Sequence, residues 1–400
     1  MSTNKKTYRA AVIGHTGQGN YGHGLDVAFC ELPMIEIVAV ADPVESGRQR
    51  VQARIGAARA YADYHELLAR EQPDLVAIGP RWLGERVAMV TAAAAAGAHI
   101  FLEKPLAPSL AEADVLLDAC AKAGVKLAVA HQGRLHPATL HAQRLVASGE
   151  LGRLRQVRGY GKMDHRGGGQ DLMVLGTHVL DLMRLFAGDA TWASAELLAG
   201  SRLAGPEDVR SGEEGIGPIA GDGLRATFGF ENDVLGFFES FAGLGMSEEY
   251  FGLDLVGERG QLALRGGFNK RLMRYPRPYV VPGAPLTFRR DIYANNPDRD
   301  SQAVGAAPEE YMDHWSLVTV PGTVAGETPG TAPLSSEALV QHCNRRLVLD
   351  LLDAIAEDRE PLSSGERARG SLELIQAIAA AHAAGGRVTL PLQRRTHPYA

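Results

Sequence analysis

A strand of small apolar residues runs without a break into glycines in the stretch VIGHTGQGNYGHGLD, residues 12–26. Gly17, Gly19 and Gly22 satisfy the spacing G-x-G-x-x-G, and Gly14 precedes them. Glycine lets a backbone turn tightly and approach a phosphate, and the N–H groups of a helix that starts there attract the anion. Twenty residues after Gly22 comes Asp42, at the end of the next apolar run, EIVAVAD. A carboxylate at that place meets the adenosine ribose hydroxyls of a dinucleotide. It also repels a 2′-phosphate, so the pattern favours NAD over NADP. The expected unit is strand, glycine loop and helix, with Gly14, Gly17, Gly19, Gly22 and Asp42 around a dinucleotide.

The alternation continues through DLVAIGP, AHIFLE and VKLAVAH, short apolar runs separated by helix-like segments such as ESGRQRVQARIG and LAEADVLLDACAKAG. Ser109 just before the last of these and Gly124 at its end suit an N-cap and a C-cap. Apolar strands bracketed by helices imply a parallel sheet covered on both faces. After about Arg134 the period changes. LRATFGFE puts Leu224, Ala226, Phe228 and Phe230 on one side, VLGFFESFAG follows the turn-like Asn232 and Asp233, and GLDLVGERGQLALRGG reads as a hairpin. Those are marks of a half-buried antiparallel sheet. Amphipathic helices within 335–359 and 370–385 and a short strand, GRVTLPL, close the sequence. Residues 266–333, rich in Pro, Gly and Arg, read as a long loop.

A length of 400 residues suits two domains, read here as 1–132 and 133–400. The net charge of −6 argues against nucleic acid or an anionic membrane as partner. The longest low-charge stretch, 87–102, is interrupted by Gly97 and His99, so no transmembrane span is expected. MSTNKKTYRAAVIGH reads as a first strand, not a signal peptide, and a cytoplasmic protein is the expectation. Cys30, Cys120 and Cys343 lie far apart without metal or CxxC spacing, and Asp298 and Asp300 lack the order of a calcium loop. Reduced thiols and no metal are expected.

In HIFLEKPLAPS, residues 99–109, an apolar run meets Glu103, Lys104 and Pro105. Ligands of a doubly wound sheet bind beyond the carboxyl ends of its strands. A lysine there reaches a substrate hydroxyl beside a nicotinamide ring, Glu103 holds it by charge, and both border the cofactor. DLMVLGTHVLDLMRLF reads as a helix, and at ~100° per residue Asp171 and His178 share one face. Taking a hydride from a carbinol carbon needs a base for the hydroxyl proton, and histidine titrates near neutrality. His178 is the expected base, Asp171 its support or a substrate contact, and Asp181 a structural residue. Tyr160, His165 and Arg166, in GYGKMDHRGGG with Lys162 and Asp164, are candidates for sugar hydroxyls. His131 and Gln132 end a strand, where they face the nicotinamide or cap the chain.

EKP at 103–105, GRLHP at 133–137, GELGRLRQV, GGGQDLMVLGTHVLDL and GRVTLPLQRRTHP together resemble the Gfo/Idh/MocA family, the glucose-fructose oxidoreductase and inositol dehydrogenase-like proteins. The resemblance runs over essentially the whole chain. It implies an α/β fold, with an N-terminal Rossmann doubly wound parallel sheet and a C-terminal α+β domain whose open antiparallel sheet makes oligomer contacts, so a homodimer or homotetramer. It also implies a tightly held nicotinamide cofactor and a small carbohydrate or polyol substrate. By the same correspondence Lys104 looks like the active-site lysine and His178 like the acid/base histidine. Two departures stand out. Val174 occupies the position four before the histidine where the family pattern has Asp, and GPRWLGERVAM offers Arg81, Trp82, Glu85 and Arg86 where it has a histidine. The expected function is NAD-dependent hydride transfer between nicotinamide and a sugar, inositol or related polyol. The alternatives are redox-neutral glycoside cleavage or elimination through transient oxidation, and a cofactor-binding sensor without chemistry.

Overall fold

The computed structural model describes residues 7–244, 250–267, 270–275, 316–318, 320 and 335–400. Asp298, Asp300 and most of the 266–333 stretch lie outside the described residues. The first sheet has six parallel strands: β1 (Tyr8–Ile13), β2 (Ile35–Ala41), β3 (Arg59–Tyr61), β4 (Leu75–Ile78), β5 (His99–Leu102) and β6 (Leu127–Val129). Their spatial order is β3-β2-β1-β4-β5-β6, the doubly wound arrangement whose crevice opens at the carboxyl ends. β4 is buried on both faces, which is why DLVAIGP shows no alternation. Ser109 Oγ accepts from the Glu112 N–H and Gly124 closes the helix Leu110–Ala123 in the left-handed conformation, as the sequence indicates.

No α-helix follows the glycine loop. Residues 21–31 run as successive turns. Gly22 and Gly24 have φ of 61° and 76°, and a left-handed residue in the first turn breaks the i→i−4 ladder before it forms. The turn segment still packs against the sheet, and the helix Ser336–Ala356 from the far end of the chain packs onto the same buried cluster. Its Leu347, Val348 and Leu351 pack into one buried cluster with Ala10, Val12, Leu25, Phe29 and Val40.

The second sheet contains β7 (Leu154–Tyr160), β8 (Ala190–Ala199), β9 (Gly223–Phe230), β10 (Leu235–Phe241), β11 (Gly252–Gly257), β12 (Gln261–Arg265), β13 (Arg271–Tyr275), β14 (Ser316–Leu317) and β15 (Val388–Thr389). Their order is β14-β13-β12-β11-β7-β10-β9-β8-β15. Leu224, Ala226, Phe228 and Phe230 all face the core, and β11 and β12 form the expected hairpin. The sheet is mixed, not wholly antiparallel, because β10 pairs with β7 in parallel. β8, β9 and β10 form an up-down-up meander, so β10 runs with β8; β7, which precedes the helical crossover at 169–187, pairs with β10 in the same direction.

A buried polar seam joins β6 to the crossover helix Thr177–Ala187. Arg134 donates twice to the Asp181 carboxylate at 2.8 Å, and Ser371 Oγ adds a third bond at 3.1 Å. Among the described residues no helix is long and apolar enough to cross a membrane. The cysteines are free thiols, and no described cluster of His, Cys, Asp or Glu is arranged to hold a metal. Removing one partner of a buried ion pair leaves the other uncompensated, so Arg134→Met should cost about 3–5 kcal/mol in a denaturant titration; a loss under 1 kcal/mol would show that the seam is not structural.

Candidate active site

The strand ends bring Gly14, Asp42, Gly79, Glu103 and His131 to one edge of the first sheet. At the end of β5 the chain enters the Glu103–Lys104–Pro105 turn, with a cis peptide at Lys104–Pro105. Glu103 is fully buried and does not simply neutralise its neighbour: its carboxylate accepts from the His23 backbone N–H and lies against His23 Nδ1, both at 2.9 Å. Burial pushes this carboxyl up, but His23 and Lys104 outweigh it and hold it at about 2. The turn is clamped from below by Arg86, a buried guanidinium that donates to the carbonyls of Glu103, Pro105 and Pro80. Nothing in the sequence marked Arg86 as structural; a lone arginine at a helix start reads as solvated.

Lys104 is 2% exposed, and its Nζ donates to the Val174 carbonyl at 2.9 Å. Val174 lies in a π-helical turn, Leu172–Gly176, that precedes Thr177–Ala187. The i→i+5 pattern of such a turn shifts the backbone bonding register, and here a carbonyl of that turn meets the lysine. The same turn separates Asp171 from His178. Asp171 is a correction to the sequence reading: its Oδ2 accepts from the Lys162 N–H at 3.0 Å and from Ser240 Oγ at 2.5 Å. It braces the loop after β7 and does not touch the histidine. Seven residues share a face only in a regular α-helix, and five of the intervening positions are not α-helical.

His178 is half-buried on the wall of a cavity of about 250 Å³ between the two sheets. Its ring packs edge-on against His131, with centroids 5.7 Å apart. His131 Nε2 is 3.2 Å from Thr177 Oγ1 and its Nδ1 3.4 Å from Asp181. Burial, then the Lys104 charge, hold the His178 imidazole well below its ordinary value, so it is neutral at pH 7 and able to take a proton. Burial also lowers Lys104, opposed by Glu103.

The three residues read as sugar contacts do not line that cavity. The Tyr160 hydroxyl lies 3.1 Å from the Asp254 carboxylate, on the opposite face of the sheet, with the Arg265 guanidinium 4.6 Å from its ring. Strand alternation explains this: Gly159 faces the crossover helix, so its neighbour faces away. The His165 side chain is 86% exposed, and Arg166 is forked onto Asp164. The wall instead holds His23, Gln132, His136, Lys162 and Lys270. Lys270 sits in the stretch that showed no periodicity, so no sequence signal could place it.

The glycine loop divides its labour. A side chain at Gly14 would strike the Tyr21 ring, one at Gly19 the backbone of Arg81, and one at Gly22 the Glu103 carboxylate. Only Gly17 of the four faces open space, with φ of 88°, the kind of bare backbone a phosphate can approach. Beside it lies a second pocket, lined by Gly14, Asp42, Asp63, Tyr64, Glu85 and Met89. Asp42 is fully buried there, and its carboxylate accepts from Thr16 Oγ1 at 2.7 Å, the Thr16 N–H at 3.1 Å and the Val44 N–H at 2.9 Å. It pins the loop to β2, where the sequence reading had it meeting the ribose. The bare face at Gly17 and the mixed apolar and acidic pocket at the strand ends fit a dinucleotide.

Lys104→Met removes the charge that most lowers His178 after burial itself. The imidazole should then titrate closer to its usual 6.5 in an NMR titration, with the signal assigned against His178→Asn. An unchanged midpoint would place the two groups out of each other's field.

Residues 8–131 match the model of the oxidoreductase family with an NAD-binding Rossmann fold. D-apiose dehydrogenase of Paraburkholderia graminis is 32% identical over 224 residues, covering 52% of this chain and 57% of that protein. D-xylose 1-dehydrogenase (NADP(+)) 2 of Haloferax volcanii is 41% identical over 117 residues, 29% of this chain and 35% of that one. The chain thus spans about half or less of the length of these two relatives. A levoglucosan dehydrogenase structure with NADH and levoglucosan superposes with a TM-score of 0.68 over 97% of this chain and all of that one, at 18% identity, which speaks to the fold. The glycine loop and Lys104 at the ends of the parallel strands, His178 on the crossover and the matching domain model converge on one likeness: residues 8–131 match the NAD-binding Rossmann domain of the Gfo/Idh/MocA oxidoreductases, and the whole chain shares the fold of such proteins.

Proposed function

We propose that the chain is an NAD-dependent dehydrogenase that oxidises a hydroxyl-bearing carbon of a small carbohydrate or polyol derivative. The observation that carries this reading is a neutral His178 imidazole on the cavity wall with the Lys104 ammonium in its field. Residues around Gly17 and the pocket at Asp42 would hold the dinucleotide. When bound, the nicotinamide supplies the hydride acceptor, so the carbinol carbon gives up a hydride and its hydroxyl a proton to become a carbonyl. His178 takes that proton at a ring nitrogen; among the described residues nothing hydrogen-bonds this imidazole. An ammonium has three donors and the Val174 carbonyl takes one. Lys104 is not on the cavity wall, so it acts on an oxygen that develops negative charge through its field. His131, backed by Asp181, positions the His178 ring.

NAD is preferred to NADP because Asp42, Asp63 and Glu85 all line the pocket beyond β2 and repel a 2′-phosphate. The partner is a small molecule, and the outer face of the second sheet, with Arg158, Tyr160, Phe237 and Glu239, is the surface on which a homodimer or homotetramer would close.

The test is NADH formation at its absorbance maximum with a panel of inositols, aldoses, sugar acids and glycosides. Net reduction of NAD supports the dehydrogenase; turnover of a glycoside without it would transfer the same residues to redox-neutral cleavage. His178→Asn should lower kcat by about a hundred- to ten-thousand-fold; full activity in that variant would end the assignment. Because the base must be neutral, activity is present above its pKa and lost as pH falls through it. The acid limb of kcat/KM should therefore lie well below pH 6.5. Titration with both dinucleotides should show tighter binding of NAD; tighter NADP would overturn the reading of Asp42.

A further inference from the structure

The cavity that holds His178 has a one-sided charge. Three histidines, Lys162 and Lys270 stand on its wall, and no carboxylate does among the described residues. Glu103 lies behind His23, whose ring it holds, and Asp164 sits 3.9 Å from the Lys162 ammonium while forked by Arg166. Lys270 is the more telling of the two lysines. Its Nζ donates to the Gly267 carbonyl at 2.6 Å, and no carboxylate pairs with it among the described residues. Its other neighbours on the wall include Phe251, Leu339, Val340 and Cys343. Burial pulls this lysine down to about 8, so it is still mostly protonated at pH 7. The Cys343 thiol cannot neutralise it, because burial pushes that thiol up to about 11. An ammonium in an apolar corner without a counter-ion is costly to keep.

Two further features face the same space. Ser336, in the first turn of the helix Ser336–Ala356, is on the wall, so the positive end of a 21-residue helix borders the cavity. Gln132 is 3% exposed and donates to Asn344 at 3.0 Å, while its Oε1 has no hydrogen bond among the described residues. The corner therefore offers a cation and a helix start for an anion, and an acceptor for a hydroxyl.

We propose that the substrate of this site is a monosaccharide-sized sugar acid, its carboxylate held at Lys270 and a hydroxyl-bearing carbon turned to His178. This rests on the dehydrogenase reading for its chemistry, but not for its binding. The small cavity, and a lysine that no carboxylate among the described residues pairs with, suit one negative charge on one sugar ring.

The experiment is calorimetric titration of the full-length protein, saturated with NAD, with D-glucuronate, D-gluconate, D-glucose, myo-inositol and D-glucose 6-phosphate. At least one of the two acids should bind ten-fold or more tightly than both neutral compounds. Lys270→Met should weaken that binding at least ten-fold and change myo-inositol binding less than two-fold, while Lys270→Arg should restore most of the affinity for the acid. Circular dichroism and the unchanged Arg variant guard against a folding defect. Neutral compounds binding as well as the acids, no binding of either acid, an equal effect of Lys270→Met on both classes, or a preference for the phosphate would each overturn the proposal. Acids that bind without forming NADH would sink the dehydrogenase and leave this site standing; NADH formed only from neutral sugars would do the reverse.

Discussion

One buried turn carries the geometry of both halves of the site. Glu103 reaches forward to the glycine loop through His23, Lys104 reaches across to the crossover helix through the Val174 carbonyl, and Arg86 holds the turn's own carbonyls. The Lys104 and Arg86 contacts are buried and the His23 contact partly so, and the loss of any of them would leave a charge or a carbonyl unsatisfied. The glycine loop and the helix that carries His178 are thereby fixed to adjacent residues of one chain. Their relative position follows from a single peptide unit, not from the fit of two separate surfaces.

Charge is sorted along the same edge of the sheet. At the end near β2 the pocket walls carry Asp42, Asp63 and Glu85; at the other end the cavity carries Lys162 and Lys270 beside a neutral His178. The partition has chemical consequences. Burial, and then the Lys104 charge, hold the His178 imidazole neutral, the form that can accept a proton. The acids at the opposite end give the pocket beside the glycine loop a negative wall.

Much of this was legible in the residues, and the failures have physical causes. The glycine spacing, the EKP turn and His178 were visible because their chemistry tolerates few alternatives. Asp171 was misread because a seven-residue spacing assumes a regular helix, and the π-turn at Leu172–Gly176 breaks it. The helix expected after Gly22 failed because the glycines that give the loop its freedom also adopt left-handed φ. Asp42 was found in place but turned inward to Thr16, since a carboxylate can serve a loop as well as a ribose. Lys270 and the helix Ser336–Ala356 reach the site through contacts far apart in the chain, which no local pattern encodes. The second sheet's parallel pair follows from counting reversals in a meander, information that lies in the order of turns and not in any strand.

The Glu103–Lys104–Pro105 turn fixes the glycine loop through the Glu103–His23 contacts. The most direct test is the affinity of NADH for Glu103→Gln beside the unmodified protein, by fluorescence titration, with thermal unfolding recorded for both. Gln keeps the size of the side chain and removes the charge that holds His23. NADH binding should weaken ten-fold or more in a variant that still unfolds cooperatively; an unchanged dissociation constant would show that the turn does not position the loop.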